Sequence, residues 1–191
     1  MRFSIWNYRR VLAVIGAVIM VLVIALSLVN LIEKNLFYPL KFKTEVFAAA
    51  KENGVDSALI FAVIKVESEF DESAVSNKGA FGLMQITKST ADYIAKLKGV
   101  KSYDIMDAKT NINFGTFYLK YLIDKFNNIE SAIYAYNAGE GKVREWLKNK
   151  EYSDDGVNLK VVPYKETFEY GKKIKKTFSK YKKLYGNILD K

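Results

Sequence analysis

The chain begins with one long apolar block and then settles into a helical rhythm of hydrophobic and polar positions. Residues 11–32 read VLAVIGAVIMVLVIALSLVNLI and carry no charge. At ~1.5 Å rise per residue, about 20 apolar residues cross a bilayer core, so this block predicts a transmembrane helix. Arg2, Arg9 and Arg10 precede it, and Glu33 and Lys34 follow it. That asymmetry places residues 1–10 in the cytoplasm and the rest of the chain outside, as a single-pass protein of the cell membrane. A cleaved signal has a core of about 7–15 residues that stops at a small-residue cleavage site. Here the run passes the triplet Ala25-Leu26-Ser27 and continues through Leu28, Val29, Leu31 and Ile32, which favours an uncleaved anchor. Trp6 and Tyr8 on one side, and Phe37 and Tyr38 on the other, match interfacial aromatic belts.

Residues 33–43 form a short linker, in which Pro39 can break the helix. From residue 44 to residue 191 the spacing predicts one all-α domain. Helices are expected over 44–52, stopped by Asn53-Gly54, and over 57–69, with Asp56 as N-cap. Further helices are expected over 88–97 before Gly99, 108–126 after Asp107, 129–136 and 140–149. A last one runs from near Pro163 to about 185. Residues 71–82 and 150–162 read as polar loops. No stretch alternates convincingly at period two, so any sheet is minor.

One position breaks the apolar pattern. Ile60, Val63, Ile64 and Glu67 fall on one stripe at steps of three and four. A carboxylate on an apolar face is costly to ionise, so its pKa should rise. An acid that keeps its proton near neutral pH is what a general acid needs. A salt-bridged surface glutamate on a rotated helix is the competing explanation. Asp71 and Glu72 lie just beyond, in a turn-like stretch where solvation is expected.

Composition narrows the chemistry. The chain has no cysteine and no histidine, which excludes disulfides, thiolate nucleophiles, imidazole bases and Cys- or His-ligated metals. No metal and no cofactor is implied. Proton transfer is left to Asp, Glu, Lys and Tyr. The net charge of +9 suits an anionic surface or polymer. The excess of lysine over arginine, with no aromatic-basic reading platform, argues against nucleic acid. Lys172, Lys173, Lys175, Lys176, Lys180, Lys182 and Lys183 share a helix with an apolar row of Ile174, Phe178, Tyr181, Tyr185 and Ile188. That helix should pack one side and show lysines on the other. The lysines are either a solvated face or a contact for anionic wall polymer or lipid headgroups.

Three further segments stand out. Ser76-Asn-Lys-Gly79-Ala-Phe-Gly82-Leu83-Met84-Gln85 can bring backbone close to a ligand, and its hydroxyl and amide suit sugar hydroxyls and N-acetyl groups. Tyr134-Ala-Tyr136-Asn137-Ala-Gly139 allows tight packing around a polar pocket. Glu166 falls in the first turn of the last helix, where the helix dipole favours a carboxylate. Each has an ordinary structural explanation when taken alone: a turn, a helix stop and a helix start.

Together, and in this order, these segments resemble the lytic transglycosylases of the soluble-lytic-transglycosylase (SLT) type, whose domain is goose-type lysozyme-like. The resemblance rests on Glu67-Ser68, Gly82-Leu83-Met84-Gln85, Asn111-Ile112 with Gly115, Tyr118 and Leu119, then Ala135-Tyr136-Asn137-Ala138-Gly139 and Pro163-Tyr164-Lys165-Glu166-Thr167. It covers about residues 45–180. It implies that peptidoglycan glycan strands are the substrate. Glu67 would protonate the MurNAc–GlcNAc glycosidic oxygen and then take the proton of the muramic acid C6 hydroxyl, closing a 1,6-anhydro ring. It further implies that Ser76, Gly82, Met84 and Gln85 bind sugar and peptide stem, that Tyr136 and Asn137 line the site, and that Glu166 supports it. Many relatives read Gln-Ile-Met-Pro where this chain has Gln85-Ile86-Thr87-Lys88, which bears on subsite preference. Two rivals remain from the sequence: a hydrolytic muramidase on the same fold, and a non-enzymatic peptidoglycan-binding scaffold.

Overall fold

The computed structural model describes residues 5–189, and side chains from residue 8 onward. It divides into two compact units, one ending at Leu40 and one spanning Lys41–Lys191. In the first, α1 (Ile5–Ile32) continues into a π-helical turn (Glu33–Phe37) that Tyr38 closes by donating its N–H to Glu33 O at 3.0 Å. The stretch Tyr8–Phe37 is long and apolar enough to cross a membrane, and its most apolar window is unburied. Tyr8 and Phe37 are exposed, while Arg2 and the Trp6 side chain lie outside the described residues.

The second unit is helical. Its order is α2 (Lys43–Asn53), α3 (Ser57–Glu67), strands β1 (Ala80–Phe81) and β2 (Ile86–Thr87), α4 (Lys88–Lys98), α5 (Ala108–Phe126), α6 (Ile129–Ala138), α7 (Glu140–Lys148) and α8 (Lys165–Leu189). The local signals operate as their chemistry requires. Asp56, Thr87, Asp107 and Asn128 cap helix starts with side-chain oxygens. Gly54 and Gly99 end helices in left-handed conformation.

Three helices differ from expectation at their ends. The helix expected over 57–69 stops at Glu67, because Ser68 leaves helical geometry and Glu69 and Phe70 take φ of 53° and 68°. The last helix begins at Lys165, two residues beyond Pro163, and runs on to Leu189. The helix expected over 129–136 extends to Ala138.

The core is built around α3. Every residue from Ser57 to Ile64 is buried, so the helix is surrounded rather than amphipathic. The stripe drawn through Ile60, Val63 and Ile64 therefore understates its enclosure. Phe61 meets Phe47, Phe70 and Tyr181 at ring distances of 6.5, 6.3 and 5.5 Å. Each such buried apolar side chain contributes about 1.5–3 kcal/mol. Helix α8 packs along α3, and Ser57 Oγ donates to Leu189 O at 2.9 Å. A second cluster, centred on Leu122, Tyr134, Val143 and Trp146, joins α5, α6 and α7.

On α8, Ile174, Tyr181 and Tyr185 are buried as expected, Phe178 is half-buried and Ile188 is exposed, while Leu189 takes the inward place. Its lysines are not all available to a partner. Lys172 pairs with Glu169, Lys175 with Glu130 and Lys182 with Asp56.

Candidate active site

Glu67 is placed by the abrupt end of α3. The seven residues before Ile64 anchor the helix in the core, and the two left-handed residues after Ser68 turn the chain sharply away. Such conformations are uncommon outside glycine and need support from their surroundings. Support comes from Ser68, whose hydroxyl donates to Leu83 O at 2.8 Å and lies 3.2 Å from Ile64 O. Phe70 is buried against Phe61. Glu67 is half-buried. Burial pushes its carboxyl up to about 7, and a hydrogen bond from Tyr170 opposes that rise. The Tyr170 hydroxyl donates to Glu67 Oε1 at 2.7 Å. Asp71, Glu72 and Glu69 are exposed.

The glycine loop forms the neighbouring wall, and its sequence reads as a packing device. β1 and β2 pair antiparallel, with Ala80 opposite Thr87 and Phe81 opposite Ile86. The connection is clamped from below by the fully buried Asn111. Its Nδ2 donates to Phe81 O and Ile105 O, and its Oδ1 accepts from Met84 N at 2.7 Å. Gly82, at φ 68°, has no room for a side chain, since a Cβ there would lie 2.5 Å from Asn111 Nδ2. Gly115 is equally constrained, with a Cβ falling 2.5 Å from Met84 Sδ.

The residues singled out in the sequence divide accordingly. Met84 is fully buried, so its side chain packs against α5 instead of facing a ligand. Its carbonyl instead accepts from the Tyr136 hydroxyl at 2.8 Å. Gly82 is buried as well, and its value is conformational. Ser76 is half-buried, and its hydroxyl accepts the N–H groups of Lys78 and Ala80, shaping its own loop.

Gln85 donates Nε2 to Gly82 O and Ala74 O, at 2.9 and 3.2 Å, which leaves its Oε1 as an acceptor. Asn137 Oδ1 accepts from the buried Thr167 hydroxyl at 2.7 Å, leaving Nδ2 as a donor. Gln85, Tyr136 and Asn137 line one cleft with Ile86, Thr87, Thr90, Tyr118, Ala138 and Gly139, of about 270 Å³. Thr87 reaches this cleft, whereas Lys88 pairs with Asp92 and lines a separate depression near Tyr103. Glu166 is exposed and holds Lys78 Nζ at 3.1 and 3.3 Å, joining the tip of the 76–80 loop to the start of α8.

Tyr170 was not singled out by sequence reasoning. Its position four residues after Glu166 on a long helix marks only a buried face. Gly171 beside it lets α8 approach α6, since a Cβ there would lie 2.3 Å from the Tyr134 ring. Tyr136 and Tyr170 are both affected by the Glu67 charge, and burial drives both hydroxyls well above their ordinary value. The result is a desolvated carboxyl with aromatic hydroxyls around it, beside a cleft that offers amide donors and acceptors. Such a site can hold a sugar chain and pass one proton.

Comparison with known proteins agrees with this geometry. The Transglycosylase SLT domain family matches residues 45–158. The soluble lytic murein transglycosylase of Salmonella typhimurium is 34% identical over 143 residues, covering 72% of this chain and 22% of its own. The membrane-bound lytic murein transglycosylase C of Photorhabdus laumondii is 37% identical over 133 residues, covering 62% and 37%. An inactive Glu-to-Gln mutant of the lytic transglycosylase Slt from Pseudomonas aeruginosa superposes with a TM-score of 0.69 at 31% identity, covering 76% of this chain and 24% of that one. The 70-kDa soluble lytic transglycosylase of Escherichia coli gives 0.68 at 30%, covering 76% and 25%. The chain belongs to the SLT transglycosylase family, and the fold is lysozyme-like as expected. It spans only 22% to 37% of the length of these relatives.

Proposed function

We propose that this chain is a membrane-anchored peptidoglycan lytic transglycosylase. Residues 11–32 serve as a single-pass anchor with residues 1–10 in the cytoplasm, residues 33–43 as linker, and residues 44–191 as the extracytoplasmic catalytic domain. Membrane-bound lytic transglycosylases among its relatives and the apolar helix α1 support the anchor.

The observation that carries the reaction is Glu67. It is a carboxyl raised to about 7 by burial and held by Tyr170, and its charge acts on Tyr136, which lines a cleft of about 270 Å³. Protonated, it gives its proton to the glycosidic oxygen between N-acetylmuramic acid and N-acetylglucosamine, and the bond from C1 to that oxygen breaks. As carboxylate it then accepts the proton of the muramic acid C6 hydroxyl while that oxygen bonds to C1. The 1,6-anhydro end forms, Glu67 regains its proton and no water is consumed. Two-carboxylate glycosidases set their acids about 5 Å or about 6.5–9.5 Å apart. Here the nearby acids along the chain are exposed, so a single-acid route assisted by the substrate N-acetyl group is favoured. Gln85, Asn137 and Tyr136 act as cleft groups for sugar hydroxyls and amides, with Ser76, Gly82 and Met84 shaping the wall. Glu166 supports the cleft mouth.

The exposed face of α8 is a further contact for anionic wall polymer or headgroups. Lys173, Lys176 and Lys183 are exposed there and make no ion pair with the described residues. Fewer lysines contribute than the sequence count suggests.

Mass spectrometry of muropeptides released from purified peptidoglycan tests the reaction. Products one water lighter than hydrolysis products, absent with Glu67→Gln, are expected. Full-mass reducing ends would mean a muramidase on the same fold. Wall binding without release would mean a scaffold.

A further inference from the structure

The tyrosines of the cleft do not end at Tyr136. The Tyr118 ring lies 5.7 Å from that of Tyr136 and 6.1 Å from that of Tyr121, nearly parallel to the latter at 13°. Tyr121 in turn meets Tyr93 at 5.9 Å and 74°. The helices explain the row. Tyr118 and Tyr121 are three residues apart on α5, and Thr90 and Tyr93 are three apart on α4, so each pair shares a helix face. Thr90 and Tyr118 line the cleft beside Tyr136. Tyr93 and Tyr121 therefore carry both of these walls about one helical turn, ~5 Å, farther out. That is about the advance of one sugar ring along an extended glycan.

A tyrosine row at helical spacing is ordinarily core packing. Two features set this one apart. Tyr93 is 42% exposed, so its ring is not needed to seal the interior. The row also ends in fixed polar groups. The Tyr121 hydroxyl donates to Glu140 Oε2 at 3.0 Å and accepts from Lys125 Nζ at 3.3 Å, and the Lys125 ammonium lies 5.3 Å from the Tyr121 ring centre. Glu140 is held in place by Arg144 and Lys125. An open aromatic ring beside a pre-oriented rim of donors and acceptors matches a pyranose, which has an apolar C–H face and an edge of hydroxyls.

We propose that Tyr93 and Tyr121, with the Glu140–Arg144–Lys125 rim, form a distal saccharide subsite. It binds a sugar of the same glycan strand at least one residue beyond those held at Tyr136 and Asn137. Tyr93 supplies the stacking ring, and Tyr121 is locked by its neighbours and fixes the rim. The enzyme consequently favours longer strands. This rests on the glycan-cleaving reading above.

The test is calorimetric binding of an N-acetylglucosamine disaccharide and hexasaccharide to the full chain in detergent, carrying Glu67→Gln to prevent turnover. The hexasaccharide should bind more tightly. Tyr93→Ala should cut the ratio of the two affinities by roughly three- to ten-fold, the worth of one aromatic contact. Tyr93→Trp should retain it. A ratio untouched by Tyr93→Ala, or no length preference before substitution, overturns the subsite. Equal weakening of both oligomers also overturns it, since that would mark packing support alone. In each of those cases, muropeptide release by the unsubstituted chain leaves the enzymatic reading standing. Failure of both oligomers to bind, together with no release, brings down both.

Discussion

Replacing Glu67 with glutamine should make the protein more stable above neutral pH while removing its proposed activity. The carboxyl is raised from an ordinary 4.5 to about 7, chiefly by burial. A difference of that size, at ~1.4 kcal/mol per pH unit, corresponds to about 3 kcal/mol. The folded state binds the Glu67 proton more tightly than the unfolded state does. The stabilising contribution is therefore complete below about pH 4.5 and is lost as pH rises through about 7. Glutamine does not titrate, and its Oε1 can still accept from Tyr170. The stability gap between the two proteins should be flat below about pH 4.5 and widen in favour of Glu67→Gln by up to about 3 kcal/mol near pH 8. Other carboxylates, such as Glu52, titrate alike in both proteins and cancel. Urea unfolding of the detergent-solubilised chain, followed by fluorescence of the buried Trp146, measures the gap. A gap constant to within about 0.5 kcal/mol across that range would refute the desolvated-acid reasoning.

The rate should carry the same signature. In the proposed reaction Glu67 acts first as an acid, so kcat/KM for glycan cleavage should fall above about pH 7, and a profile still rising at pH 8 would contradict that proposal. Tyr170→Phe removes the hydrogen bond that lowers the Glu67 pKa, so the alkaline limb should move to higher pH; an unmoved limb would reduce Tyr170 to packing. Asn111→Ala leaves the buried Met84 N–H and the Phe81 and Ile105 carbonyls without their partner and should cost at least about 2 kcal/mol in unfolding free energy. Lys78→Gln breaks an ion pair whose side chains are both more than two-thirds exposed and should change unfolding free energy by less than about 1 kcal/mol.

Much of the scaffold was legible along the chain. The end of α2 at Gly54, both ends of α4 at Thr87 and Gly99, and the start of α5 at Asp107 follow from side-chain caps and left-handed glycines, which are local chemistry. The end of α3 was not, because Ser68, Glu69 and Phe70 carry no stop signal. Contacts to Leu83, fifteen residues on, and to Phe61 support their departure from the helix. The composition of the glycine loop suits a ligand loop, yet Gly82 and Met84 are buried and answer to Asn111 and Gly115 on α5. Tyr170 lies 103 residues from Glu67, a pairing no periodicity could announce.

The sequence by itself determined the membrane-length helix, the all-α character, the absence of thiol and imidazole chemistry, and the one acid set against an apolar run. All of these depend on residue type and on spacing within a turn or two. Only the tertiary structure decided how far Glu67 is desolvated, which hydroxyl holds it, and which residues of the glycine loop face the cleft. Those depend on α8 packing along α3 and on Asn111 pinning the loop from below. Burial and long-range hydrogen bonds belong to the packed arrangement, and no local pattern encodes them.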